Sequence, residues 1–371
     1  MIWCKKCVLP STRPNLFIDK KDGICNACKF HQKRKKKYWN KKIIELKKIF
    51  FKAKIKSKNN YDCVIPVSGG KDSTWIVLTC LKYGLTPLAV TYHTPGRNNI
   101  GRLNLKNLVS LGVDHIDYTI NPKVESYLIL KTLKKKGSTA IPMHMGIFNI
   151  PLKIAKKFNI PLVVWGENSA AEYGAKKNFS IDPIMSKQWR EKFGALNQTN
   201  HNFWEDSFLT KKKMIPFINE RLGEKKIKSI FLGEYIKWDP VKILKIVKNH
   251  GFVSSPKVKT GIYNFADIDC NFISIHHYLK WLKFGFTRTF DNLSIEIRNN
   301  RITRKKALEV IRKHNSQIEP LDDIKNFCKF TGISIKKFKN ITEKFRNKSI
   351  WIKKNNKWQI KNFIINNYSW K

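Results

Sequence analysis

Residues 62–73, DCVIPVSGGKDS, restrict the fold of this chain more than any other stretch. A short apolar run ends in a glycine pair, and a helical pattern follows through about Tyr83, with Trp75, Ile76, Leu78, Thr79 and Leu81 on a common side. The same alternation then repeats. Pro87–Tyr92, His115–Thr119 and Pro161–Trp165 read as further buried strands, and helical stretches separate them at Asn99–Leu111, Lys123–Lys136 and Met145–Asn159. Strands joined by helices of this length must run parallel, since a crossover helix returns the chain to the same end of the sheet. The expected architecture is α/β, a doubly wound parallel sheet with helices on both faces.

In such a sheet a ligand sits at the carboxyl ends of the strands, where SGGKDS falls. Two glycines let consecutive backbone N–H groups turn toward an anion with no side chain in the way. Ser68 and Ser73 add hydroxyls, Lys71 adds positive charge, and the helix N-terminus adds its dipole. Together they form a cradle for the phosphates of a nucleotide. The loop is not the GxxxxGK[ST] type, which has four residues between its glycines.

The eight cysteines divide unevenly. Cys4-x2-Cys7 and Cys25-x2-Cys28, 17 residues apart, have the spacing of a four-thiolate zinc site. Four thiolates leave no open coordination position, so the expected zinc is structural. The N-terminus MIWCKKCVLP has no apolar leader, which points to the cytoplasm and to reduced thiols rather than disulfides. Cys63, Cys80, Cys270 and Cys328 are isolated and read as small apolar residues. From His31 to Lys58 a basic stretch with interleaved Tyr38, Trp39, Ile43, Ile44, Leu46, Ile49 and Phe50 predicts a helix joining the knuckle to the sheet.

Charge is the compositional outlier: 73 Lys+Arg against 27 Asp+Glu, net +46. No apolar run approaches the roughly 18 residues of a membrane span. Such a balance invites a nucleic-acid partner, but Lys outnumbers Arg 61 to 12, although the arginine fork is the better reader of phosphates and bases. The excess of Lys with Asn, Ile and Phe reads as AT-rich codon usage, and nucleic acid is not the expected ligand.

SGGKDS matches the PP-loop, or adenine nucleotide alpha hydrolase, superfamily. The whole chain resembles the N-acetyl sugar amidotransferases of surface-polysaccharide biosynthesis, including lipopolysaccharide and O-antigen. The similarity rests on the cysteine knuckle, SGGKDS and the stretches 96–118, 138–155 and VVWGENSAAEYG (163–174). It continues through TGIYNFADID (260–269), FISIHHYLKWLKFGFTR (272–288) and DNLSIEIRNNRITRKKA (291–307). The resemblance implies ATP cleaved to AMP and pyrophosphate with Mg2+, and an acetamido group of a nucleotide-linked or acidic sugar converted to acetamidino. It also implies ammonia from separate glutaminase and cyclase-like subunits. Position 2 is Ile, where an N-terminal-nucleophile glutaminase needs Cys, in keeping with that division. A PP-loop tRNA-thiolating enzyme is the alternative, disfavoured because the four non-zinc cysteines have no CxxC spacing.

The expected ATP site is Ser68, Gly69, Gly70, Lys71, Asp72 and Ser73 with Gly166, Glu167 and Asn168 at the end of a second buried strand. Asp72 and Glu172 are the expected Mg2+ carboxylates, since that ion takes hard oxygen ligands beside phosphate. Lys71, Asp72 and His144 carry the expected catalytic roles, with His144 at a helix start and a strand end, placed for proton transfer to and from ammonia. Arg97, Arg102, His276, His277, Lys280 and Arg288 are the expected substrate contacts; a helix places 276, 280 and 283 on one face. The expected divisions are a knuckle over 1–35, a linker helix over 36–58, a nucleotide domain over 59–239 and a mostly helical region over 240–371. Residues 174–214, which show little periodicity, read as a lid or a substrate-selecting insertion.

Overall fold

The computed structural model describes residues 1–58, 60–177, 179, 181–194, 203–218, 227–313 and 319–366. Helices α1 (Asn26–Lys33) and α2 (Lys36–Ser57) lead into a strand–helix series: β1 (Cys63–Pro66), α3 (Lys71–Lys82), β2 (Pro87–Tyr92), α4 (Asn99–Val109) and β3 (Asp114–Tyr118). The chain continues through α5 (Pro122–Lys136), α6 (Ile141–Lys157), β4 (Leu162–Trp165), α7 (Ser169–Tyr173), α8 (Lys187–Trp189), α9 (Lys211–Met214) and β5 (Lys228–Phe231). All five strands are parallel, in the order β3-β2-β1-β4-β5. β2 and β4 are buried along their whole length, which is why they read as unbroken apolar runs rather than alternating ones. β5 was not expected from the sequence: its four residues, KSIF, begin on an exposed lysine and are too short to announce a strand.

The chain moves outward from β1 through β2 to β3, then crosses back to lay β4 on the other side of β1. The carboxyl ends of β1 and β4 therefore flank the switch point, where adjacent connections leave on opposite faces and open a crevice. One face is covered by α2, α3, α4 and α10 (Pro240–Lys248), through Leu46, Phe50, Trp75, Ile76, Leu105, Ile243 and Val247. The other is covered by α5 and α6, through Leu128, Ile141, Met145, Ile150 and Leu152. Helix α6 starts four residues before the expected Met145, because Pro142 sits in its first turn, where a missing N–H costs nothing. His144 is therefore inside a helix that follows another helix, not at a strand end.

The C-terminal part adds α11 (Ile273–Phe284), α12 (Arg288–Arg298), α13 (Arg304–Lys313), α14 (Leu321–Thr331), α15 (Ile335–Glu343) and an antiparallel hairpin, β6 (Trp351–Lys354) with β7 (Lys357–Ile360). Packing does not break at residue 240: Phe252, Tyr263, Phe265 and Ile268 share the core that covers α3. Nor does the cysteine knuckle stand alone. Cys4, Val8, Leu9 and Cys28 are buried together with Trp281, Phe290, Leu293, Ile311 and Trp351. Among the described residues no helix is long and apolar enough to cross a membrane.

Candidate active site

The loop after β1 has the form its composition asks for. Gly69 takes φ +84°, and a Cβ there would lie 2.7 Å from the Leu105 backbone nitrogen, so only glycine fits under α4. Gly70 begins α3; the Ser68 hydroxyl accepts from its N–H at 3.3 Å, and the Ser73 hydroxyl donates to its carbonyl at 2.8 Å. Lys71 is buried, with Nζ 2.5 Å from Asp72 and 5.5 Å above the Trp238 ring. The indole Nε1–H of Trp238 holds the other Asp72 oxygen at 2.8 Å. Ser68 lies beside Asp269, whose carboxyl is raised by burial. Trp238 and Asp269 thus lie against the glycine loop.

Gly166 packs against this loop: a Cβ there would lie 3.8 Å from that of Asp72. Burial, and then the charge of Asp72, push the Glu167 carboxyl up to about 7. Asn168 is spent on structure. Its Oδ1 caps α7 at Ala170 and accepts from Trp189 Nε1 at 2.9 Å, while its amide donates to the Asp182 carbonyl. Glu172, expected beside Asp72 at a metal, lies elsewhere. It sits 3.6 Å from Arg34, which also binds Glu234, on the side of α7 that faces the knuckle. The carboxylate facing Asp72 is Glu167.

A cavity of about 510 Å3 opens from Glu167, lined also by His144, Tyr173, Asp267, His276, His277, Lys280, Arg288 and Asp291. His144 Nδ1 is buried without a hydrogen-bond partner, and burial holds its ring down to about 4, so the imidazole is neutral at physiological pH. The adjacent His276 and His277 both line the cavity, and the His276 ring lies 6.3 Å from that of His144. His277 is 3.1 Å from Asp267, which also pairs with Arg288 at 3.1 Å. Lys280, lowered by burial to about 8, donates to Asp291 at 3.0 Å. Arg97 and Arg102 are not part of this cavity. Arg97 is committed to Asp117 through two bonds of 2.5 and 2.9 Å, and Arg102 donates to Asn99. The sequence reading missed Asp267 and Asp291, whose only signal was their place in the TGIYNFADID and DNLSIEIRNN stretches, and it missed the wall of Phe148 and Trp189.

Residues 260–364 match the family model described as LPS biosynthesis protein WbpG-like, C-terminal domain. The chain carries a WbpG-like C-terminal domain. The resemblance seen in the motifs of the whole chain holds in this part. The cavity residues Asp267, His276, His277, Lys280, Arg288 and Asp291 belong to the WbpG-like segment, whereas His144 and Glu167 come from the sheet half. No curated protein matches significantly. Among solved structures, the NMN synthetase of Francisella tularensis is similar at 16% identity over 76% of this chain and 96% of that one, with a TM-score of 0.35. A likeness at that level bears on neither substrate nor reaction.

The knuckle cysteines converge as the spacing predicts. Their four Sγ atoms lie within 4.8 Å of one another, and Cys7 and Cys25 are 3.7 Å apart. Zn–S bonds of about 2.3 Å in a tetrahedron separate sulfurs by about 3.8 Å, so the set fits zinc. Cys63, Cys80, Cys270 and Cys328 are all buried, as expected of small apolar residues. Part of the 174–214 stretch, residues 178, 180 and 195–202, lies outside the described residues; within the rest, Trp189 and Phe193 line the cavity.

Proposed function

We propose that the protein is an ATP-dependent amidotransferase of surface-glycan biosynthesis, of the lipopolysaccharide or O-antigen kind. It turns an acetamido group of a nucleotide-linked or acidic sugar into acetamidino, and it works in the cytoplasm. The observation that carries this reading is the junction of two sites. A glycine-lined phosphate cradle and a cavity walled by the WbpG-like segment meet at Glu167.

In this reading Ser68, Gly69, Gly70, Lys71 and Ser73 hold the ATP phosphates. Asp72 and Glu167 would hold Mg2+, which supplies charge neutralisation on those phosphates when bound. The acetamido oxygen attacks the α phosphorus and pyrophosphate leaves, giving an O-adenylyl imidate. Ammonia adds to the imidate carbon, loses a proton, and AMP departs with the oxygen. His144 lines the cavity with an unpartnered Nδ1 and is neutral, so it has a lone pair through which that proton can pass on its way to solvent. Zinc on Cys4, Cys7, Cys25 and Cys28 would brace the fold. Ammonia is supplied by separate glutaminase and cyclase-like subunits. The deep burial of the four remaining cysteines favours this reading over sulfur transfer to tRNA, which needs an accessible thiol.

The test is nucleotide product analysis with ammonium, ATP and a panel of diacetamido nucleotide sugars. AMP and pyrophosphate should form only when sugar and ammonium are both present, and formation of ADP instead would overturn the reading. Lys71→Ala should slow pyrophosphate release by roughly a hundredfold or more, the scale of losing a preorganised charge in a closed site.

A further inference from the structure

Between the two cysteine pairs, the knuckle sends a loop away from its own sulfurs and into the cavity wall. Arg13, Pro14 and Asn15 all line that cavity. The Arg13 side chain is 12% exposed, and its guanidinium lies 4.9 Å from the Tyr173 ring centre and 5.3 Å from that of Phe286. Aromatic faces pin the group in place but leave its N–H edges to other partners. Those partners are few. Arg13 Nη2 stands 3.3 Å from Asp291 Oδ1, yet that oxygen makes no hydrogen bond, and Arg13 Nε is buried with no acceptor. Asp291 is already served by Lys280 at 3.0 Å, and Asp267 by Arg288, His277 and Thr260. The cavity lining carries six basic side chains, Arg13, Lys136, Lys192, Lys280, Lys283 and Arg288, against three carboxylates, Glu167, Asp267 and Asp291, and the Nε–H groups of Arg13 and Arg288 are both buried without an acceptor.

A planar guanidinium in the wall of a cavity with an excess of positive charge, with its Nε–H unpartnered, is suited to a bidentate oxyanion. We propose that Arg13 reads an anionic group of the sugar ligand, which makes the cysteine knuckle part of the substrate site as well as a brace. The shared chemistry is an oxyanion, either a carboxylate on the sugar or the diphosphate that carries it. The inference rests on the reading of the cavity as a sugar-nucleotide site. It adds a residue that lies outside both the phosphate cradle and the WbpG-like segment. The 17 residues between Cys7 and Cys25 form a loop whose ends meet at one metal-sized cluster, so the position of Arg13 depends on those thiols. The loop is held further by Arg13 N–H to the Pro10 carbonyl at 3.1 Å and Leu16 N–H to the Arg13 carbonyl at 3.1 Å.

Equilibrium binding to the full-length protein tests this with three probes: UDP-N-acetylglucosamine, UDP-N-acetylglucosaminuronic acid and α,β-methylene-ATP. Arg13→Ala should weaken sugar-nucleotide binding roughly ten- to a hundredfold, the range for losing a charge-assisted pair. Arg13→Lys should recover part of it, and α,β-methylene-ATP affinity and zinc content should match the wild type. Loss confined to the uronic acid identifies the carboxylate as the anion, and equal loss with both sugars identifies the diphosphate. Wild-type affinities of Arg13→Ala for both sugars would overturn the role of Arg13 while leaving the sugar-nucleotide reading intact. Failure of the wild-type protein to bind either sugar, with α,β-methylene-ATP bound normally, would overturn both.

Discussion

Glu125 shows how far burial can move a single group in this fold. It sits on α5 beneath the sheet, accepts a hydrogen bond from Tyr92 and has no cation among the causes of its shift, so burial pushes its carboxyl up to about 7. Unfolded, the same group ionises near 4.5. Below that value both states hold the proton and the contribution to stability is complete. As pH rises from about 4.5 to about 7 the unfolded chain releases its proton first, and the contribution is lost. Stability of the wild type relative to Glu125→Gln should therefore fall by on the order of 2–3 kcal/mol between pH 5 and 8. Urea melts of both proteins at the two pH values measure this; a constant difference would show that the carboxyl ionises over the same pH range folded and unfolded. Residues of this kind are not legible in a sequence. Glu125 lies in a helix of ordinary composition, and Glu172 looked a better metal ligand than Glu167 until the turn of α7 placed it beside Arg34. Arg13 was equally silent, because its partners Tyr173, Phe286 and Asp291 come from 160 or more residues away in the chain.

At the scale of elements, the legible parts were those whose physics is local. Strands buried on both faces gave continuous apolar runs, and the glycine pair after β1 marked the tight entry to α3. What stayed hidden was set by distant packing, such as the early start of α6, the short β5, and the way residues 252–268 close over α3. The glycine loop after β1 allows a controlled test of its tight fit. Gly69 and Gly112 both have positive φ, +84° and +93°, so alanine at either position pays left-handed backbone strain of about 1–2 kcal/mol. A Cβ at Gly112 meets nothing within 4 Å, whereas at Gly69 it meets the Leu105 nitrogen and the Gly101 carbonyl at 2.7 and 2.9 Å. Gly112→Ala should thus lower the melting temperature by a few degrees and keep α,β-methylene-ATP binding. Gly69→Ala should lose that binding, since either the loop or the α4 N-terminus must move. Equal nucleotide affinity in the two variants would show that the loop tolerates displacement.

For the whole molecule, the cysteine knuckle matters more than its size suggests. It is the first segment of the chain, yet its sulfurs share a core with Trp281, Phe290, Leu293, Ile311 and Trp351, some 250 to 350 residues later. Arg304 donates to the Cys7 carbonyl at 3.1 Å, and Arg298 reaches the Glu172 carbonyl at 2.7 Å. Burial works against the charge of Arg298, but the neighbouring Cys28 sulfur and then the Glu172 carboxyl more than offset it and raise the guanidinium above its usual value. Asn26 donates to the Ala175 carbonyl just past α7, so the knuckle also touches the segment that leaves the β4 end of the site. Sequence spacing announced the ligand set but could not tell that it closes a lobe with α11, α12, α13 and the β6–β7 hairpin. Metal binding of this type carries roughly 10–16 kcal/mol in small zinc peptides, enough to decide whether such a shared core forms. Cys28→Ser or strong chelation should therefore expose tryptic sites within residues 281–365 as well as in the knuckle, and should flatten the near-ultraviolet signal of Trp281 and Trp351. The sheet half, whose cores take from residues 281–365 only Ile295 among the described residues, should keep its far-ultraviolet helical signal and its protection from trypsin. Cleavage confined to residues 1–35 would mean that the lobe stands without its metal.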